Sequence, residues 1–217
     1  MLGLDLATLL ARAIVLLVAF TIHELAHAVT ADYLGDSTPR RMGRITLNPL
    51  AHLDPVGTVV LLVAGFGWAK PVMVSPYNLR GNPRTSMAIV AAAGPISNLI
   101  MAVLFALPFR FGLLPMSGFF ASTSDLFPDP AFLAGQFVWL NLILAFFNLL
   151  PIPPLDGFKI LMGVLPPEMT YNLGPVEQYG PLILLVVIFL LPRLGLDVVN
   201  LVVGRPAAEI LAWLVGF

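Results

Sequence analysis

The sequence predicts an all-α protein that crosses a membrane several times and forms one integral membrane domain over residues 1–217. Hydrophobic residues make up 59% of the chain and charged residues only 11%, whereas soluble domains contain about 45–50% and about 25%. The mean hydropathy is +0.93. The chain contains no cysteine, which excludes disulfides and thiolate metal ligands. Its net charge of -1 gives no indication of nucleic-acid binding.

Apolar segments of spanning length recur along the chain, since about 20 residues cross the hydrocarbon core of a bilayer as a helix. Four such segments run over approximately residues 4–34, 85–109, 131–150 and 181–203. The segment Val56–Phe66 is too short to span and predicts an interfacial or re-entrant element. The tail Ala207–Phe217 is also too short, unless it tilts or packs on the other helices.

Charge predicts the orientation of these segments. Six basic residues lie between Thr38 and Arg84, whereas the Phe111–Pro130 loop contains none. By the positive-inside rule, the first stretch is cytoplasmic and the loop is outside. The N-terminus is then expected outside a plasma or inner membrane. This orientation requires that Val56–Phe66 does not cross the membrane.

The first segment contains His23-Glu24-Leu25-Ala26-His27 near its inner end. In a helix, His23 and His27 project from the same face, so that both imidazoles can bind one metal ion. Glu24 is offset by one position and can reach a water on that metal as a general base. The alternative is a chance match or a pair of core histidines. Ionisable groups are costly in hydrocarbon and seldom occur there without a function, which favours a zinc site.

A catalytic zinc usually has three protein ligands and one open position, so a third ligand is required. The remaining His, Asp and Glu candidates are Asp156, His52, Asp54, Asp32, Asp36, Glu168 and Glu177. Asp156 is favoured because it follows a proline-interrupted helix end, and broken backbone at membrane depth is tolerated only where it lines a cavity. The predicted topology also places it on the same membrane side as the histidines. The alternatives are a helix cap for Asp156 and a hydrogen-bonded loop pair for His52 and Asp54.

Three motifs follow one another along the chain. They are His23-Glu24-Leu25-Ala26-His27, Gly94-Pro95-Ile96-Ser97-Asn98 and Asn148-x2-Pro151-x4-Asp156-Gly157. In this order they resemble the site-2 protease family of intramembrane zinc metalloproteases, peptidase family M50. Residues 47–58 and 65–72 are similar to its compact bacterial and archaeal branch, which lacks PDZ and CBS domains. The resemblance covers approximately residues 21–157.

The resemblance implies a three-helix catalytic core that opens to the cytosol. The core would extend over about residues 4–157, and additional C-terminal helices over about residues 158–217. One Zn2+ per chain would be bound by His23, His27 and Asp156, and Glu24 would activate water.

The resemblance also implies how substrate is held. Asn148 would contact the substrate backbone or the developing oxyanion. The Gly65–Val74 region, which contains Gly65 and Gly67, would form a short membrane-associated β-hairpin that pairs with an unwound substrate. For Asn98 a hydrogen bond between helices is favoured over a catalytic role. His52, Asp54 and Asn98 are therefore expected to support the site or the fold.

The predicted function is an intramembrane zinc endopeptidase that cleaves transmembrane protein substrates near the cytoplasmic side of the bilayer. A second hypothesis is a zinc-binding or zinc-transport protein without hydrolysis, although two of the apolar segments offer almost no ionisable residues for an ion path. A third is a metal-dependent lipid amidase or esterase, against which the strand-like Gly65–Val74 region argues.

Overall fold

The computed structural model describes residues 5–57, 60 and 67–216. Helix α1 (Leu6–Tyr33) is followed by the single-turn helix α2 (Thr38–Arg41), and two further long helices are α3 (Pro83–Arg110) and α4 (Pro130–Asn148). The three long helices begin at Asp5, Asn82 and Asp129, whose side chains each accept a hydrogen bond from a backbone N–H of the first turn. Such caps satisfy N–H groups that have no partner within the helix.

The three long helices pack as an antiparallel group. Ala7 N–H donates to the Asp125 carbonyl at 3.0 Å, which places the start of α1 beside the loop between α3 and α4. Arg80 N–H donates to the Leu34 carbonyl at 2.7 Å, which places the end of α1 beside the start of α3. Small side chains lie buried in these helices, among them Ala19, Ala91 and Ala145. Small residues let helix backbones approach closely, so the polar residues between the helices can contact one another.

The C-terminal part is helical but irregular. It contains α5 (Asp156–Val164), α6 (Pro167–Leu173), α7 (Gly180–Leu185) and α8 (Arg205–Val215), with 3-10 and π turns between them. The Arg84 guanidinium donates to the Met162 carbonyl at 2.9 Å and also to the Leu165 carbonyl. These bonds place the end of α5 beside the start of α3, at the same end of the helix group as the end of α1.

Four helical stretches of the described chain are long and apolar enough to cross a membrane, by length and composition: Leu6–Tyr33, Pro83–Arg110, Pro130–Asn148 and Pro167–Leu190. The expected all-α architecture is therefore confirmed. The fourth stretch corrects the prediction of a span over residues 181–203. Pro167, Pro175 and Pro181 stand in the first turns of successive helical pieces, where the missing N–H costs nothing, so they do not interrupt the stretch.

The tail packs on the helix group. Ala207, Leu211 and Val215 of α8 are buried in one apolar cluster with residues of α3 and α4. Gly195, with φ of 80°, turns the chain between the fourth stretch and this tail. The short tail is expected either to tilt or to pack on the other helices, and it packs on them.

The predicted β-hairpin is not supported. Within the described residues the structure contains no strand, and residues 67–74 have one isolated antiparallel bridge, between Leu53 and Ala69. The Lys70 N–H donates to the His52 carbonyl at 2.7 Å. The next N–H on the same edge of an extended chain is that of Val72, and it donates to Glu24 Oε2 instead of continuing a ladder. Gly65, and most of Val56–Phe66, lie outside the described residues.

Asp36 fixes the segment that leads from this bridge to α3. Its carboxylate accepts hydrogen bonds from Thr38, from the Ser75 N–H at 2.7 Å and from the Asn78 amide at 3.1 Å. Burial acts to raise the pKa of Asp36, but these hydrogen bonds outweigh it and its pKa lies below the usual value. The buried carboxylate therefore stays ionised and holds residues 75–78 beside the end of α1.

Candidate metal centre

Three potential metal ligands from two distant parts of the chain meet between α1 and α5. His23 and His27 lie four residues apart on α1, and Asp156 is the first residue of α5. The Nε2 atoms of the two histidines are 3.1 Å apart, and Asp156 Oδ2 lies 3.1 Å from His23 Nε2 and 3.2 Å from His27 Nε2. All three side chains are buried.

The outward-facing nitrogens of both histidines are already engaged. His27 Nδ1 lies 2.7 Å from the Val90 carbonyl of α3, which can only accept a hydrogen bond, so this nitrogen carries the proton. His23 Nδ1 lies 2.6 Å from Asn98 Oδ1. The Asn98 amide nitrogen donates to Asn141 Oδ1 at 2.8 Å, which assigns the oxygen of Asn98 to His23.

These tautomers leave three lone pairs directed at one point. A neutral imidazole with a protonated Nδ1 has an acceptor at Nε2. Two such Nε2 atoms and a carboxylate oxygen within 3.1–3.2 Å of one another repel unless a cation or a proton lies among them. Neutral imidazole nitrogens and carboxylate oxygens are the ligands that Zn2+ takes when no cysteine is present. The arrangement is therefore chemically suited to a divalent transition metal.

The spacing also fits zinc. Bonds of about 2.0–2.2 Å in tetrahedral geometry separate neighbouring ligand atoms by roughly 3.3–3.6 Å. The three observed separations of 3.1, 3.1 and 3.2 Å lie just below that range. Three protein ligands leave a fourth position for water or substrate, which distinguishes catalytic from structural zinc sites.

Gly94 allows α3 to pass directly beside the histidines. A Cβ at this position would lie 2.5 Å from His27 Nε2 and 2.6 Å from His23 Nε2. No side chain fits there without displacing an imidazole. Two turns of the same helix, at Val90 and Asn98, supply the oxygens that orient the rings, as partners of metal-bound histidines commonly do.

Glu24 lies beside this centre and is held by the backbone of the segment after the bridge. Val72 N–H donates to Glu24 Oε2 at 3.0 Å, and the described residues donate no hydrogen bond to Oε1. Arg44, which is 3% exposed, donates to the carbonyls of Ala51, Lys70 and Pro71. Burial lowers the pKa of Arg44 and the charge of Glu24 opposes this change, but an arginine remains charged. Arg44 thus secures the segment whose Val72 orients Glu24.

A cavity of about 690 Å³ opens at the metal centre. Glu24 and the three potential ligands form one part of its wall, and Asn148 and Gly67 lie on other parts of it. The remaining wall is mainly apolar, with contributions from α1, α4, α7 and the segment Gly67–Val72. The Asn148 amide nitrogen donates to the Leu144 carbonyl at 3.0 Å, which leaves its oxygen and one N–H for other contacts.

The other candidate ligands lie elsewhere. Among the described residues, only His23, His27 and Asp156 form a group with metal-ligand geometry. His52 is fully buried and lies 2.9 Å from the Thr46 carbonyl through Nε2. Asp54 accepts a hydrogen bond from Gly57 N–H at 2.8 Å. Asp32 pairs with Arg40, and Glu168 is exposed on α6.

Several residues that build the site have little or no signal in the sequence. Asn141 holds Asn98 and donates to the Phe137 carbonyl at 2.8 Å; the signal for it is a polar residue inside an otherwise apolar helix. Arg44 is one of the basic residues that predict the membrane orientation. Its contacts with the segment that orients Glu24 form between loops, and no sequence pattern predicts them. The Val90 carbonyl has no signal at all, because any residue supplies one.

Comparison with known proteins places this geometry in context. The model of the family described as peptidase family M50 matches residues 129–191. The Bacillus subtilis protein "Putative zinc metalloprotease YwhC" is 42% identical over 177 residues, which cover 80% of this chain and 77% of that protein. "Putative zinc metalloprotease Rip2" of Mycolicibacterium smegmatis is 35% identical over 182 residues, 82% of this chain and 66% of that protein. Rip2 of Mycobacterium tuberculosis is also 35% identical, over 185 residues. No solved structure shows a significant match.

Proposed function

Because the chain belongs to peptidase family M50 and is a metalloendopeptidase, we propose that it hydrolyses peptide bonds within the transmembrane segments of other membrane proteins, with zinc as cofactor. The observation that carries this proposal is the convergence of His23, His27 and Asp156 inside a group of helices that are long and apolar enough to span a bilayer. The distance of His23 from the end of α1 at Tyr33 is roughly 15 Å along the helix axis. Such a depth suits a peptide bond below the membrane surface.

His23, His27 and Asp156 hold the metal, and Gly94 leaves room for the two imidazoles. Zinc, when bound, supplies a Lewis acid that polarises a peptide carbonyl and makes a water acidic near neutral pH. Glu24 takes the proton of that water and returns it to the leaving nitrogen. Val72 N–H holds Oε2 of Glu24, so Oε1 is the oxygen that exchanges the proton.

The extended segment Gly67–Val72 supports a peptide substrate. The backbone N–H and C=O groups of residues 68 and 70 face the chain at Leu53, as the hydrogen bond from the Lys70 N–H to the His52 carbonyl shows. In an extended chain the backbone groups of the intervening Ala69 point to the opposite edge. Ala69 lines the cavity, and an unwound substrate segment can replace its lost helical hydrogen bonds at this edge. Asn148, across the same cavity, supplies a polar contact to the substrate backbone.

The charge distribution supports cleavage near the cytoplasmic side of a plasma or inner membrane. Basic residues concentrate between Thr38 and Arg84, and the Phe111–Pro130 loop has none. The end of α1 and the start of α3 share that basic end of the helix group. The positive-inside rule then places this end in the cytoplasm and the N-terminus outside.

Metal dependence and a ligand variant test the proposal together. We expect the protein in liposomes to cleave a single-span substrate, to lose activity in a chelator and to regain it with Zn2+. Asp156→Asn should weaken zinc binding by at least about 100-fold. Replacing a residue that only hydrogen-bonds to a metal ligand already lowers metal affinity about 10–100-fold, and Asp156 is proposed as a ligand itself. Asp125→Asn, on the opposite loop, is the matched control and should behave as wild type.

Full zinc content and activity in Asp156→Asn would overturn the assigned metal site. Cleavage of a soluble peptide, without cleavage of any membrane-spanning substrate in liposomes, would overturn the intramembrane assignment.

Arg44→Gln tests the clamp, which is the set of hydrogen bonds from Arg44 to the carbonyls of Ala51, Lys70 and Pro71. These bonds hold the segment that orients Glu24. The shorter amide cannot reach all three carbonyls, and each buried polar group left unpaired costs about 1–3 kcal/mol. We expect kcat to fall by at least about tenfold while the zinc content stays unchanged. The size of this effect is taken from the loss seen when residues that hydrogen-bond to metal ligands are replaced. Arg41→Gln, at the end of α2 and three residues before Arg44, is the control, because Arg41 is exposed and bonded to Ser37 and Thr38. Equal rates for the two variants would contradict a role for the clamp.

A further inference from the structure

A second cavity, of about 500 Å³, lies between α1, α4, α8 and the loop that joins α3 to α4. Its wall contains Arg12, Gln136 and Trp139, and apolar side chains that include Phe119, Leu211 and Val215. Arg12 and Gln136 are each six residues past the start of their helix, so they lie at the same depth, roughly 9 Å below the helix ends. The cavity is separate from the metal centre, because His23 is eleven residues further along α1, or roughly 16 Å.

The cavity has a positive charge without a matching anion. The Arg12 side chain is exposed, and its guanidinium makes no hydrogen bond and no ion pair with the described residues. The carboxylate that senses its charge is Asp5, but the Asp5 oxygens already accept hydrogen bonds from the N–H and hydroxyl of Thr8. No Asp or Glu of the described chain lines the cavity. An arginine in an apolar span is costly unless an anion or the interface accommodates it.

Gln136 is the second polar side chain in this part of the wall, and it also has unused hydrogen-bonding groups. The side-chain amide of Gln136 makes no hydrogen bond with the described part of the chain. Its amide can donate two hydrogen bonds and the guanidinium can donate several in a planar fork. Together they match an acceptor with several oxygens and a negative charge. A phosphate group meets that requirement, and arginine binds phosphate oxygens in pairs.

We infer that this cavity binds an anionic phospholipid from the bilayer leaflet that contains the loop between α3 and α4. Arg12 and Gln136 contact the phosphate, and the first part of an acyl chain lies on Phe119, Leu211 and Val215. The depth of Arg12 suits this contact, because a long arginine side chain can direct its charge towards the headgroups while its stem stays in the hydrocarbon. The volume is in the range of ligand pockets and suits a headgroup with the start of one chain. The lipid holds the α8 tail against α1 and α4.

Native mass spectrometry of the purified protein in detergent tests this inference, with phosphatidylglycerol or phosphatidylcholine added in matched acyl chains. The wild type should retain one phosphatidylglycerol with at least a fivefold preference over phosphatidylcholine. Arg12→Gln should lose this preference, and Arg12→Lys should retain part of it. Arg193→Gln, which removes an exposed arginine bonded to the Phe189 carbonyl, should behave as wild type. Metal content provides the folding control.

A second variant fills the space without changing charge. Ala212 lines the cavity, and Ala212→Phe should reduce lipid retention while Arg12 remains. Equal retention of the two lipids by the wild type would overturn the anionic specificity. Unchanged phosphatidylglycerol retention in Arg12→Gln would overturn the site itself. Both results are independent of cleavage activity, so they do not depend on the proposed protease function.

Discussion

Glu24→Gln is expected to abolish peptide hydrolysis while the protein keeps its zinc. Glutamine has nearly the same shape as glutamate, and its amide oxygen can still accept the Val72 N–H. It cannot take a proton from water, so the loss should be at least the roughly 10²–10⁴-fold that a general base contributes. Single-turnover cleavage of a membrane-spanning substrate in liposomes, together with metal analysis of the same sample, measures both effects.

Glu168→Gln is the matched control, because Glu168 is exposed on α6 and lies outside the metal centre. It should keep both the wild-type rate and the wild-type zinc content. Substantial turnover by Glu24→Gln would show that another group activates water. Loss of zinc in that variant would mean that Glu24 is itself a ligand, and the proposed division of roles between Glu24 and Asp156 would then be wrong.

Gly94→Ala is expected to remove zinc and activity together. The added Cβ would lie 2.5 Å from His27 Nε2 and 2.6 Å from His23 Nε2, closer than side chains approach in folded proteins. α3 cannot retreat easily, because its Val90 carbonyl and Asn98 side chain bond to the same two histidines. The rings must therefore turn away from Asp156. We expect zinc affinity to fall by at least about 100-fold, because moving the ligands themselves should cost more than replacing a residue that hydrogen-bonds to a ligand.

Gly174→Ala is the control for this substitution, since a Cβ at Gly174 meets nothing within 4 Å. It should retain zinc, activity and thermal stability. Equilibrium dialysis against a zinc buffer gives the affinities, and cleavage in liposomes gives the rates. Wild-type zinc affinity in Gly94→Ala would show that the helix group can open around the histidines, contrary to the packing described above.

Local patterns were sufficient for the parts of the protein that depend on near neighbours. The spacing of His23 and His27 places two imidazoles on one face of any helix, whatever surrounds it. Apolar length predicts the helices that begin at Leu6, Pro83 and Pro130. The family resemblance carried by three short motifs is confirmed by the comparisons.

The fourth helical stretch shows where local patterns fail. The sequence predicts a last span over approximately residues 181–203. The structure instead continues the helical stretch from Pro167 to Leu190, because each proline falls in the first turn of a piece. The predicted hairpin fails for a different reason, because the Val72 N–H, the next donor on the bridged edge, is bonded to Glu24 Oε2.

The sequence by itself determined that the protein is helical and apolar, that two histidines and a glutamate share one helix, and that the chain resembles peptidase family M50. Only the tertiary structure decided which carboxylate approaches the histidines. Asp156, which the sequence favours, lies 133 residues from His23, and the sequence leaves several other Asp and Glu residues as alternatives. Packing of α3 through Gly94 brings these distant parts together, and the orienting contacts from Val90, Asn98 and Val72 follow from that packing. Such contacts depend on which backbones approach closely, a property of the whole helix group that no local pattern encodes.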